Sequence, residues 1–177
     1  MTDFITALGA IGTLISALFI LQTLKSNHDW QRRQYALDIL RDWNKNTNES
    51  GHAVEKAFPG IRDIDKTTGR VNEISKDRAK RIYISNPESD GEDFALRCHI
   101  IQLLNYLEYV VTAYNSNVAD EEVVLSGLKT PIIRWVTILA NFLDIVEMCE
   151  GFQPWAPLRE TVKEWEHNPV SRRTPTA

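Results

Sequence analysis

Cysteine, glycine, proline and surplus positive charge are all scarce in this chain, and each scarcity excludes something. Two cysteines in 177 residues, Cys98 and Cys149, cannot build a disulfide framework. They also lack metal-ligand spacing and agree with a reducing compartment. Of the eight glycines, Gly51, Gly60, Gly69 and Gly91 are isolated and form neither a Walker-type loop nor a dinucleotide-binding turn. No Gly-x-Ser-x-Gly elbow occurs, Ser126-Gly127 being the nearest fragment. The four histidines, His28, His52, His99 and His167, are scattered without the i, i+4 or short-loop spacing of a metal site. A net charge of −4 leaves no basic footprint for nucleic acid. The expectation is a non-enzymatic protein with no cofactor, no metal, no small-molecule substrate and no nucleic-acid partner. Glycine and proline fall mostly between periodic segments, the pattern of an all-helical chain, and no internal repeat is present.

What the chain does have is a charge-free run from Phe4 to Leu24 with eleven Leu, Ile or Phe residues. As a helix it reaches roughly 31 Å, close to the hydrocarbon thickness of a bilayer. A cleavable signal peptide needs a basic start and a small-x-small site. This chain begins Met-Thr-Asp and follows the run with Gln22-Thr23-Leu24-Lys25. A soluble core helix seldom runs so long without charge. The run is therefore expected to be a retained single-pass transmembrane anchor, residues 1–26. Lys25, Arg32, Arg33 and Arg41 follow it, and only Asp3 and the α-amino group precede it. By the positive-inside rule the N-terminus faces outward and the rest is cytoplasmic, at a cell inner membrane.

The run is uneven around its axis. Thr6, Gly9, Ala10, Thr13, Ser16 and Ala17 share one arc; Phe4, Leu8, Ile11, Ile15, Leu18 and Phe19 lie opposite. Small residues let helix backbones approach, so this arc predicts association with a second copy or with another membrane protein. The alternative is that small residues are simply common in spans.

Residues 27–167 are expected to form one cytoplasmic helical domain, an antiparallel bundle, and 168–177 a polar tail. The anchor continues into a long helix with Trp30, Ala36, Leu37, Leu40 and Trp43 as its stripe. The polar stretch Asn44 to Gly51 ends that helix. A short segment from His52 stops at Pro59-Gly60. Asp65 to Gly69 reads as a turn and Asn72 to Tyr83 as an exposed helix with an Asp77–Arg81 pair. Its cluster Lys76, Arg78, Lys80 and Arg81 is a solvated face, or else a contact with anionic lipid. Ser89-Asp90-Gly91-Glu92 has the form of a capping box. It opens a helix to Asn115 with Leu96, Ile100, Leu103, Leu104, Leu107, Val110, Val111 and Tyr114 on a broad apolar face. Asp120 caps a short helix to Leu128. Thr130-Pro131 starts another, with Ile132, Trp135, Val136, Leu139, Phe142, Leu143 and Val146 inward and Gly151 as its stop. Arg134 and Asp144 argue against a second span there. Pro154 and Pro157 mark a loop, and a last helix runs from Leu158 to Glu166 with Val162 and Trp165 inward.

On the buried helix Asn105 and Glu108 are neighbours, with Arg97 near the same side. A carboxylate in an apolar setting is paired or has a raised pKa, and a raised pKa suits a general acid or base. With no second acid, nucleophile or metal ligand, a buried polar network of Arg97, Asn105, Glu108 and Arg134 that fixes helix register is the expectation.

The stretch Leu103-Leu104-Asn105-Tyr106-Leu107-Glu108-Tyr109-Val110, with Asp120-Glu121-Glu122 and Ile133-Arg134-Trp135, resembles an uncharacterised bacterial family of small proteins. Members pair an N-terminal membrane helix with a cytoplasmic helical domain and are catalogued as a domain of unknown function. The resemblance implies the topology and no chemistry. The function expected is an oligomeric, membrane-anchored interaction or scaffold module, with an accessory, sensory or defence-related role. The alternative is an effector whose oligomerised spans form a pore or perturb the bilayer.

Overall fold

The computed structural model describes residues 2–64, 69 and 71–167, with side chains described for all of these except 2–15 and 17. The 168–177 tail, most of the Asp65–Gly69 turn and the anchor residues Thr6, Gly9, Ala10, Thr13 and Ala17 as side chains therefore lie outside the described residues. Within them the protein is all-helical, as expected. The seven helices are α1 (Thr2–Ala57), α2 (Lys76–Ile84), α3 (Gly91–Asn115), α4 (Glu121–Gly127), α5 (Lys129–Ile138), α6 (Ala140–Glu150) and α7 (Ala156–His167).

Helix α3 is the centre, and every residue of its expected apolar face is buried. Helix α1 lies antiparallel along it. Tyr35 meets Tyr109 hydroxyl to hydroxyl at 2.5 Å, Trp43 packs on Tyr106 with ring centroids 5.9 Å apart, and Ser50 meets Gln102. Helix α7 runs in the same direction as α3, joined by Trp155 to Asn105 and by Asn115 to Thr161. Helix α2 is clamped to α3 by Arg78, whose guanidinium donates to both oxygens of Asp93 at 2.5 and 2.6 Å. That is the ion pair α2 makes; the expected Asp77–Arg81 pair is not formed among the described residues. The expected start of α2 also moves, because the Ser75 hydroxyl accepts from the Arg78 amide and so caps the helix at Lys76.

The largest departure is in α1. The polar stretch Asn44 to Gly51 does not end the helix, which continues for 56 residues to Ala57, about 84 Å at 1.5 Å per residue. Thr47 and Ser50 are buried in it. Thr47 returns its hydroxyl to the Trp43 carbonyl at 2.8 Å, so it packs without an unsatisfied donor. Gly51 is buried too, and a Cβ there would stand 3.1 Å from the Trp135 ring. Thr47, Ser50 and Gly51 thus face the bundle, while the other residues of the stretch are exposed. The stripe also shifts: Ile39 and Ala36 are buried, while Leu37 and Trp30 are exposed.

Four expected helix starts and breaks change for local reasons. The capping box ahead of α3 does not form. Ser89 donates instead to the Asp90 carboxylate, and Asp90 is the N-cap, without a side-chain bond to the helix. Thr130 is not an N-cap, because α4 runs almost directly into α5 through Leu128, whose carbonyl accepts from Ile132. Pro131 then sits in the first turn, where its missing N–H is harmless. The single helix expected from there to Gly151 is two, meeting at Leu139 (φ −94°, ψ 7°). Pro157 falls inside the first turn of α7, not in the loop before it. The Asp120 cap of α4 and the left-handed Gly151 stop (φ 74°) are as expected.

Candidate functional site

Two features of the fold are candidates for function: a bare segment of α1 and a cleft on α5. Among the residues whose side chains are described, α1 joins the bundle from Arg32 onward. There the Arg32 carbonyl accepts from the Asp120 amide at 3.1 Å and its guanidinium donates to Asn117, a residue held in the left-handed region (φ 59°). Every side chain from residue 18 to residue 31 is exposed. Leu18, Phe19, Ile20, Leu21 and Leu24 are 59–66% exposed, although all are apolar. Four consecutive residues at about 100° steps cover the whole circumference, so this is an apolar sleeve and not an apolar face. Thr23, one of its two polar residues beside Gln22, turns its hydroxyl back to the Phe19 carbonyl at 2.8 Å. Among the described residues no helix is long and apolar enough to cross a membrane. Most side chains of the charge-free run, those of residues 4–15 and 17, lie outside that description. Of the predicted association arc, Ser16 is the one residue whose side chain is described, and it is exposed.

The predicted network residues each go their own way. Arg97 donates to the Tyr83 carbonyl at 2.5 Å and covers the Phe94 ring, 4.9 Å from its centroid. Asn105 accepts from the Trp155 indole at 2.9 Å. Glu108 is half-buried on the side of α3 that meets α7, and burial raises its carboxyl pKa above the ordinary value. Arg134 lies on α5, beside a different part of the fold. No hydrogen bond or ion pair joins any two of the four among the described residues. Arg97 and Asn105 each tie α3 to another element, and among the described residues Glu108 and Arg134 pair neither with them nor with each other. Among the described residues no cluster of His, Cys, Asp and Glu could hold a metal ion.

Sequence reasoning missed the aromatic run Tyr35, Tyr109, Tyr106 and Trp43 at the α1–α3 seam. The Tyr109 hydroxyl, hydrogen-bonded to Tyr35 and partly desolvated, has its pKa pushed up to about 12. The i, i+3 spacing of Tyr106 and Tyr109 was the available signal. Also missed was the cleft of about 250 Å³ where Thr130, Ile133, Arg134 and Thr137 of α5 face Ile64 and Val71. The latter two form an isolated antiparallel bridge that brings residues distant in sequence against the helix.

No curated protein and no solved structure matches the chain. A family model does: DUF4760, a domain of unknown function, matches residues 6–165, taking in the free segment of α1 and the bundle alike, and the chain belongs to that family.

Proposed function

We propose that this is a membrane-anchored helical interaction module without enzymatic activity, its bundle held at the cytoplasmic face of a bacterial inner membrane by the first part of α1. The observation that carries the reading is the apolar sleeve at residues 18–24, exposed on every side and continuous in sequence with the charge-free run from Phe4. A docking face would be apolar on one side. A helix apolar all round needs apolar surroundings all round, and a bilayer supplies them. Thr23, with its hydroxyl spent on the helix backbone, suits that medium. Lys25, Arg32 and Arg33 follow the sleeve and favour the bundle on the cytoplasmic side. The small-residue arc Thr6, Gly9, Ala10, Thr13, Ser16 and Ala17 gives a surface on which a second copy or another membrane helix can pack.

Flotation of the full-length chain with phosphatidylcholine vesicles, followed by alkaline carbonate extraction, tests this. The expected result is flotation that survives carbonate and is lost in the double variant Ile11→Arg, Leu14→Arg. Each charge near the bilayer centre costs roughly 2.5–3.5 kcal/mol. Recovery of the unmodified chain as a soluble species would overturn the reading.

A further inference from the structure

We propose that the cleft on α5 is a binding site for a small organic monoanion with an apolar body, Arg134 supplying the charge that receives it. Five arginines of the described structure are half-buried: Arg32, Arg78, Arg97, Arg134 and Arg159. Four have partners. Arg32 donates to Asn117, Arg78 to Asp93, Arg97 to the Tyr83 carbonyl, and Arg159 to Asp144 and Glu147. Arg134 has none among the described residues. The Arg134 side chain is half-buried at the cleft, and the five donors of its planar fork suit a carboxylate held by two parallel bonds.

The surroundings define the rest of the ligand. Thr130, Ile133, Arg134 and Thr137 line the cleft together because their spacing puts them on one face of α5. The Thr137 hydroxyl is spent on the Ile133 carbonyl at 2.9 Å, whereas Thr130 makes no such bond among the described residues and can donate to an anion. Ile133, Val71 and the exposed Ile64 give apolar walls. A volume of about 250 Å³ holds roughly eight to ten non-hydrogen atoms, at the ~30 Å³ that a water molecule takes in the liquid. Glu166 lines the same cleft without pairing to Arg134. Its carboxylate disfavours multiply charged anions, so a monocarboxylate fits better than a phosphate ester. The site does not depend on the membrane anchor and goes beyond the anchoring function.

The test uses the full-length chain in nanodiscs, with empty nanodiscs as blank, and fluorine NMR of two probes of one shape: 4-fluorobenzoate and the uncharged 4-fluorobenzamide. The expected result is benzoate binding at least about tenfold tighter than benzamide, the usual worth of a charge-assisted pair. That preference is lost in Arg134→Met, kept in part by Arg134→Lys, and increased by Glu166→Gln. Equal affinities for the two probes would reduce the cleft to an apolar patch, and no benzoate binding at millimolar concentration would remove the site; either overturns the proposal. The comparison of probes needs no variant, so a poorly folded Arg134→Met leaves the test decisive.

Discussion

The Trp155 indole nitrogen donates to the Asn105 side-chain oxygen at 2.9 Å and ties the entry of α7 to the middle of α3. Trp155 is buried, so loss of the acceptor strands a donor that water reaches poorly. Asn105→Leu is expected to lower stability by about 1–2 kcal/mol. Asn105→Asp, which keeps an acceptor oxygen, is expected to lose less. Urea unfolding of the two variants side by side checks the order. The reverse order would mean that packing of the introduced isobutyl group outweighs the bond.

Gly51 is a second contact that a single atom decides. A Cβ at this position would lie 3.1 Å from Trp135 and 3.2 Å from the Arg62 guanidinium, which itself stacks over that ring at 4.7 Å. Alanine in mid-helix gains up to about 1 kcal/mol of helix propensity. Trp135 is buried and has little room to retreat, so Gly51→Val is expected to cost about 1–3 kcal/mol through overpacking. Gly91→Ala, where a Cβ meets nothing within 4 Å, is the control and is expected to be neutral or stabilising. Thermal unfolding of the two variants separates the effects by sign.

These two sites mark what the sequence made legible and what it did not. The face of α3 and the inward residues of α5, α6 and α7 could be read in advance, because periodic apolar residues are buried whatever lies opposite. Thr47, Ser50 and Gly51 were misread, since their polarity and turn propensity are local properties and their burial depends on residues distant in sequence, Trp135 among them. The same limit explains Arg97, Asn105, Glu108 and Arg134. Their spacing put three of them on one side of α3, but partners such as Trp155 and Tyr83 come from other elements. The cleft at Arg134 needs the Ile64–Val71 bridge, which no periodicity announces.

Alkaline pH should loosen the bundle through two tyrosines. The Tyr83 hydroxyl donates to Glu150 at 2.6 Å and its pKa is pushed up to about 12, first by that bond and then by burial. Tyr109, bonded to Tyr35, is likewise at about 12. The unfolded chain ionises its tyrosines near 10. Each raised pKa therefore contributes stability that is complete below pH 10 and is lost as pH rises from about 10 to 12. Absorbance titration near 295 nm should show these two among the last tyrosines to ionise. Tyr35→Phe, by removing the hydrogen-bond partner, should return Tyr109 toward 10 and leave Tyr83 unchanged.

Glu108 decides between a structural and a chemical use of the seam between α3 and α7. Its carboxyl pKa is raised by burial alone, with no cation, hydrogen bond or second acid contributing. A raised carboxyl pKa means that the folded state binds the proton more tightly than the unfolded one. The associated stability is present below the unfolded pKa, near 4.5, and is lost as pH rises through the folded value. Glu108→Gln, which mimics the protonated form, should therefore stabilise the protein at pH 7. Its advantage should shrink toward zero below about pH 4. Denaturant unfolding of both proteins across that range is the measurement. A Gln variant less stable at pH 7 would show that the carboxylate has a counter-charge after all, and would restore the polar network that its position on α3 suggests. A stabilised variant leaves Glu108 as an uncompensated charge, kept for something other than the stability of the fold.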